Sequence, residues 1–600
     1  MNRIKLYLRR FTAFIFVSCF VCIGKGESRD FEIRGVLPWH NFLSGPSAWN
    51  EKDYEEYLDL CKENDINFIG FHNYTGGGER YATYVEPMIK ISYNGIIPEA
   101  SFDHSLSARW GYLPLEVSQF SKESKAVFDL PMGATAFGSN CAITAKTKEA
   151  HYTCAQKLMQ NVLRMAHERN IKMAMGFEFG VLPPEYFSLN MQGDCFYWRG
   201  EANMIPNPCH PIAINLHLAA IDNILETYPD IDYIWLWLNE HSFMSVNLKT
   251  AMQDEKFATM YREKSRYFTS ASSEEKFIGV WALTYLELTY DYLKKKSPKT
   301  KIILGGWGGG NQLPIILQGL NDLLPDDIIF SCLNPSLGLL PQPDFLKHIA
   351  KKRNVWAVPW LEGDHQLWHF QPRVSILSEH IKLAKAQNLS GVVAIHWRTK
   401  ETKYNFKAFA HFAKNPDSPL TTYNIYRQYI MNEMGEYAAH SVAPLLSKMD
   451  TEQIHANIPS PEFYAYTPVW GIMDKKNSAI RNQILEAIDH CLARENDAGK
   501  KIALNDMKAM FKFELLLDSV GRAILPAYKL KNETFQKEQL FSQKYYRDIY
   551  NHLLNAPIGE MLTVYISKLT SRGEMGVLSS INQRLYSEYV RLKNYLETKL

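Results

Sequence analysis

The chain carries almost no net charge. Its 66 Lys and Arg stand against 64 Asp and Glu, a formal +2 at pH 7, and the basic residues are not gathered into one segment. Nucleic-acid binding, which needs a basic stripe or patch, is therefore without support. Cysteine is scarce as well, with nine in 600 residues. Two of them, Cys19 and Cys22, fall in the apolar N-terminal run. The other seven are Cys61, Cys141, Cys154, Cys195, Cys209, Cys332 and Cys491. An odd, scattered set is no disulfide framework, although Cys195 and Cys209 are near enough to pair within one loop. These seven contain no Cys-x-x-Cys, and the chain contains no His-Glu-x-x-His, so no metal or other cofactor is expected. A Gly-x-Ser-x-Gly elbow and a dinucleotide fingerprint are also missing. The run Gly308-Gly309-Gly310 lacks the Lys and Ser/Thr of a phosphate loop and reads as a tight turn.

No stretch approaches the length of a membrane span. The N-terminus has instead the order of a secretory signal. Arg3, Lys5, Arg9 and Arg10 precede a short apolar run at 11–23, and Gly24-Lys25-Gly26 offers a small-x-small cleavage site. Residues 1–26 are expected to be removed and the rest secreted or periplasmic. Apolar residues after Cys19 argue against a lipoprotein anchor there.

What is present is an ordinary globular composition, 46% apolar and 22% charged, with 13% aromatics including 13 Trp and 33 Tyr. Such a length suggests two or three domains. Apolar runs at 33–40, 67–74, 171–180, 233–238, 301–306, 327–334, 354–360 and 390–397 read as strands. They alternate with amphipathic stretches at 51–64, 148–170, 213–228, 276–295, 314–324, 344–352, 374–387 and 404–413. Asn50 is placed to cap the first helix. Runs such as 233–238, unbroken Tyr-Ile-Trp-Leu-Trp-Leu, are buried on both faces, as in a parallel sheet. Eight such repeats predict a closed (β/α)8 barrel over 32–415, an α/β TIM barrel, with long insertions near 75–147 and 181–211. After about Pro419 strand signals vanish. Ile484, Ala487, Ile488 and Cys491 fall at helical spacing, and Ile581, Leu585, Tyr589, Leu592 and Leu596 form one stripe on the last helix. An all-helical C-terminal domain is expected over 420–600, without catalytic groups.

Barrel enzymes build their sites from the C-terminal ends of several strands. Here those ends are polar and aromatic: Trp39 and His40; His72, Asn73 and Tyr74; Glu178; Asn239, Glu240 and His241; Trp307; Asn334; Glu362 and Asp364; His396, Trp397 and Arg398. Each residue alone is as readily a packing or surface group. Together they predict an aromatic-rimmed polar pocket. With serine, cysteine and cofactor chemistry unsupported, paired carboxylates with aromatic platforms remain, which is what glycosidic cleavage requires.

Asn239-Glu240 after the fourth strand and Glu362 after the seventh resemble the clan A glycoside hydrolases. That resemblance implies a retaining hydrolase with Glu240 as acid/base and Glu362 as nucleophile. It also implies site roles for Arg34 on the first strand and Trp397 on the eighth. Glu362 is then expected to stay ionised, held by donors such as Asn239, His396 or Arg34. The barrel followed by helices also resembles the α-glucuronidase and β-hexosaminidase barrels. Asn239 departs from the Asp-Glu pair of the hexosaminidases, and the β-rich N-terminal domain of both families is missing. An α-glucuronidase-like inverting enzyme, with Arg80, Arg109, Arg199 and Arg398 as partners for a uronic acid, is the alternative within enzymes. A non-catalytic carbohydrate-binding barrel is the alternative outside them. The expected partner is a carbohydrate substrate.

Overall fold

The computed structural model describes residues 30–39, 44–46, 49–73, 88–98, 141, 144–180, 185–186, 195–197, 204–238, 248–306, 312–364, 367–454, 473–537 and 541–600. Eight parallel strands close into a barrel: β1 (Ile33–Pro38), β2 (Phe68–Asn73), β3 (Lys172–Phe179), β4 (Tyr233–Leu238), β5 (Lys301–Gly305), β6 (Ile329–Leu333), β7 (Val355–Val358) and β8 (Gly391–His396). Each pairs with its sequence neighbours, and β8 closes on β1 from Ile33↔Gly391 to Pro38↔His396. The expected TIM barrel is therefore present, and its strands lie within two residues of the apolar runs. The first helix, Glu51–Glu63, starts after Asn50, whose backbone N–H donates to the Asp53 carboxylate at 2.7 Å.

Side chains alternate across each strand, and the two faces pack differently. One face meets the helices through Val36, Ile69, Phe71, Met173, Met175, Ile234, Leu236 and Phe330. The other fills the barrel with Leu37, Phe68, Tyr233, Trp235, Trp237, Ile303, Trp356, Val393 and Ile395. Indoles are too large to fill a barrel unless facing positions are small. A Cβ on Gly70 would stand 2.4 Å from the Trp235 ring, and one on Gly305 2.6 Å from Trp235 Nε1 and 3.0 Å from Trp237. Bare backbone on β2 and β5 is what lets β4 carry two inward tryptophans.

Two local features differ from expectation. Within the insertion at 181–211, Cys195–Tyr197 and Met204–Pro206 form a small antiparallel hairpin. Cys209 is free, and the disulfide joins Cys141 to Cys154 instead. The reason is placement: Cys154 lies on the helix Lys148–Glu168 with its Cα 5.4 Å from that of Cys141.

From Thr422 onward every described element is helical. The longest is the 40-residue helix Ala498–Lys537. The expected terminal stripe is interrupted by a π-helical turn, Asn582–Tyr586, between Arg572–Ile581 and Ser587–Glu597. Ile581, Leu585, Leu592 and Leu596 are nonetheless buried. The cluster that fills the barrel continues through Leu367 and Trp368 into Phe513, Leu517, Met561 and Leu578 of these helices. Barrel interior and helical domain thus share one apolar core. Among the described residues no helix is long and apolar enough to cross a membrane.

Candidate active site

Strand parity decides which polar residues reach the barrel mouth. On β2, His72 follows Phe68 and Gly70 on the inward face. On β3, Glu178 follows Ala174 and Gly176. The β3–β4 register sets Glu178 beside Trp237. His72 Nε2 lies 3.5 Å from Glu178 Oε1, with side chains 0% and 4% exposed. The His72 ring stacks on Trp39 at a centroid distance of 4.0 Å and 17°. The Trp237 edge meets both rings at 5.3 Å. Burial alone pushes the His72 imidazole well below its usual range, so it is neutral near pH 7. Its contact with Glu178 therefore joins a carboxyl group to a neutral ring, although the distance would suit an ion pair. Aromatic contacts of this kind contribute about 0.5–1.5 kcal/mol each beyond their buried area.

Glu362, four residues past β7, has a different environment. Its Oε1 accepts the backbone N–H groups of Trp397 (2.9 Å) and Arg398 (2.6 Å), and its Oε2 accepts Arg398 Nε at 2.7 Å. The pair is closed from solvent, 0% and 4% exposed. The remaining guanidinium nitrogens of Arg398 hold backbone, Nη1 on the Leu367 carbonyl and Nη2 on that of His369 at 2.8 Å. Burial opposes the charge on Arg398, but Glu362 and Glu401 outweigh it and raise its pKa. Trp360 and Trp397 tilt against each other nearby at 5.3 Å.

Several expected site residues are elsewhere. Arg34 is second in β1, at the opposite end of the strand from the mouth. It has the parity of outward-facing Val36, and donates to the carbonyls of Asp65 (3.0 Å) and Phe31 (3.1 Å). It cannot hold Glu362. His396 shares the outward parity of Val392 and Ala394. Its Nε2 meets the Tyr57 hydroxyl at 2.5 Å and its Nδ1 lies 3.0 Å from the Arg398 carbonyl. Burial lowers its pKa to about 4, so it is a neutral bridge between sheet and helix. Asn73 ties β2 to β3 through its amide on the Gly176 carbonyl at 3.0 Å. Asn334 faces the helical layer and meets His380 Nδ1 at 3.0 Å. Asp364 is half-buried after Glu362. His40, Asn239, Glu240, His241 and Trp307 lie outside the described residues, as do Arg80, Arg109 and Arg199. The Glu362–Arg398 pair was missed because its partners are 36 residues apart and no periodicity links them. Among the described residues no cluster of His, Cys, Asp or Glu could hold a metal ion.

No protein-family profile matches the chain, and no curated protein matches it. Among solved structures, a GH138 enzyme targeting pectin rhamnogalacturonan II is similar at 10% identity and a TM-score of 0.42, over 95% of this chain and 84% of its own. An O-GlcNAc hydrolase of Thermobaculum terrenum gives 10% identity and 0.42, over 95% and 97%. A GH115 4-O-methyl-α-glucuronidase with specificity for decorated arabinogalactans gives 11% and 0.48, over 92% and 62%. Likenesses this distant decide nothing about activity, which rests on the site itself.

Proposed function

We propose that the chain is an exported glycoside hydrolase that works at the C-terminal end of the barrel. The observation that most supports this is the arrangement of Glu178 and Glu362. Both are buried carboxylates at the same end of one closed barrel, each beside paired indoles, and their surroundings are unlike. Enzymes that break glycosidic bonds need an ionised carboxylate, a second carboxyl group as acid, and polar and aromatic groups that hold the sugar. Glu362, ion-paired with Arg398, is the ionised partner. Glu240, two residues beyond β4, is the acid. Glu178 and neutral His72 bind the sugar beside Trp39.

In this reading Glu240 protonates the leaving oxygen while a Glu362 oxygen attacks the anomeric carbon, forming a glycosyl–enzyme ester. Water, deprotonated by Glu240, then attacks that carbon and releases Glu362 as carboxylate. The clan A resemblance favours this retaining course. An α-glucuronidase-like course would need an arginine for the substrate carboxylate; Arg398 is already engaged by Glu362, Leu367 and His369, which leaves Arg80, Arg109 and Arg199 for that role.

The test is a panel of 4-nitrophenyl glycosides and polysaccharide fragments, with NMR of the first-formed anomer. Glu362→Gln is expected to remove nearly all activity. Glu240→Gln is expected to affect unactivated substrates most, because aryl leaving groups need little protonation. Full activity of either variant on an unactivated substrate would remove that residue from the mechanism. Export is tested by N-terminal sequencing, with Glu27 as the expected first residue and an intact Met1 terminus as the contrary result.

A further inference from the structure

After β7 the described residues 361–364 carry Glu362 and Asp364, and 367–373 run to the start of the helix Val374–Ala386. The polar contacts of these residues run in two directions. Barrel residues hold them from one side. Arg398 takes the carbonyls of Leu367 and His369, and the Asn405 amide donates to Leu361 (2.8 Å) and Gln371 (2.6 Å). From the other side come three side chains of the C-terminal helices. Glu514, on Ala498–Lys537, accepts the Phe370 N–H at 2.5 Å. Ser580, on Arg572–Ile581, accepts the indole N–H of Trp368 at 2.9 Å. Asp450, on Ala443–Thr451, accepts the N–H groups of Val374 (2.7 Å) and Ser375 (3.1 Å).

Asp450 thus caps a barrel helix from another domain, where the helix's own N-cap residue, Arg373, makes no side-chain cap. The three side chains are themselves buried, and two are fixed further: Glu514 pairs with Arg481, both 0% exposed, and Asp450 accepts the Tyr426 hydroxyl at 2.8 Å. Buried backbone N–H groups must find acceptors. Those of Phe370, Val374 and Ser375 find theirs only across the domain boundary. The loop conformation that brings Leu367 and His369 to Arg398 therefore depends on the docked helical domain.

We propose that the helical domain organises the active site: Glu514, Ser580 and Asp450 are positioning residues that fix residues 367–373 and, through them, the Glu362–Arg398 pair. The catalytic consequence rests on the glycosidase reading; the structural part does not. Misplacing a reacting group by about 1 Å can cost on the order of a hundredfold in rate.

The experiment uses the full-length chain with Ser580→Ala, Ser580→Thr and Asp450→Asn. Amide hydrogen exchange is read by mass spectrometry on peptides spanning 361–375 and on barrel-strand peptides. Kinetics are read on the best-hydrolysed 4-nitrophenyl glycoside. Ser580→Ala and Asp450→Asn are expected to speed exchange in 361–375 by about tenfold over any change in the strands. They are also expected to lower kcat about tenfold with KM changed less than about twofold. Ser580→Thr, which keeps the acceptor, is expected to restore both. Unchanged exchange in 361–375, or an equal rise in all strands, overturns the positioning role. Faster exchange with kcat intact overturns its catalytic consequence. A wild-type chain that cleaves no glycoside defeats the glycosidase reading, and the exchange result then decides the positioning role by itself.

Discussion

Glu178 and Glu362 stand at the same end of the same barrel, and the chain treats them in opposite ways. Glu362 is fixed by a guanidinium and two backbone N–H groups, all within 2.9 Å. Glu178 faces a neutral imidazole at 3.5 Å in an aromatic box. The first arrangement holds a charge in one place. The second sets a carboxyl group against a neutral ring among stacked aromatics. Two buried carboxylates at one end of the barrel are thus distinguishable by the groups around them, and those groups come from neighbouring strands.

Removing the charge of Glu362 should be the most damaging change, because it leaves Arg398 buried without its anion. Glu362→Gln is expected to lower stability by about 3–5 kcal/mol, read by urea unfolding. Glu178→Gln should cost less stability than this and act mainly on kcat/KM. Equal stability losses in the two variants would erase the distinction.

A double-mutant cycle sharpens the comparison. Glu362→Gln with Arg398→Met should show a coupling of about 2–3 kcal/mol, and Glu178→Gln with His72→Gln less than about 1 kcal/mol.

Acid titration should separate the two sides more gently. Burial lowers His72 well below 6.5 and His396 to about 4. Below pH 6.5 the unfolded chain takes up protons that these folded imidazoles refuse. The stability they confer is present above 6.5 and is lost as pH falls below it, for His396 toward about 4. Glu401, near Arg398, is opposed by burial, but Lys568 and Arg398 bring it down to about 2. Its contribution is present above 4.5 and is lost only as pH falls toward about 2. Melting temperature against pH should therefore drop first between 6.5 and 4, and His72→Gln should flatten that drop. An unaltered slope in His72→Gln would show that His72 does not titrate there.

The barrel was legible because a strand buried on both faces leaves an unbroken apolar run, and eight such runs alternate with helical periods. The helical domain was legible from its stripes. Site roles failed where parity was not carried along the strand. Ile33, Gly35 and Leu37 share one face, which turns Arg34 to the other. Val392 and Ala394 take His396 outwards in the same way. The Arg398–Glu362 pair and the clasp by Asp450, Glu514 and Ser580 join residues far apart in sequence, which local pattern does not record. The glycines opposite Trp235 and Trp237 were readable only once the strands were paired.

Six of the largest fully buried side chains are tryptophans: Trp39, Trp235, Trp237, Trp281, Trp356 and Trp397. Trp235 and Trp237 lie 4.9 Å apart, and Trp39 and Trp237 5.3 Å. Coupled indoles in a fixed array give strong near-ultraviolet circular dichroism, whereas helices dominate the far-ultraviolet signal. The packed barrel interior and the helices of both domains consequently report in different spectral windows. A barrel that loosened while its helices survived would go dark in the first window and stay bright in the second.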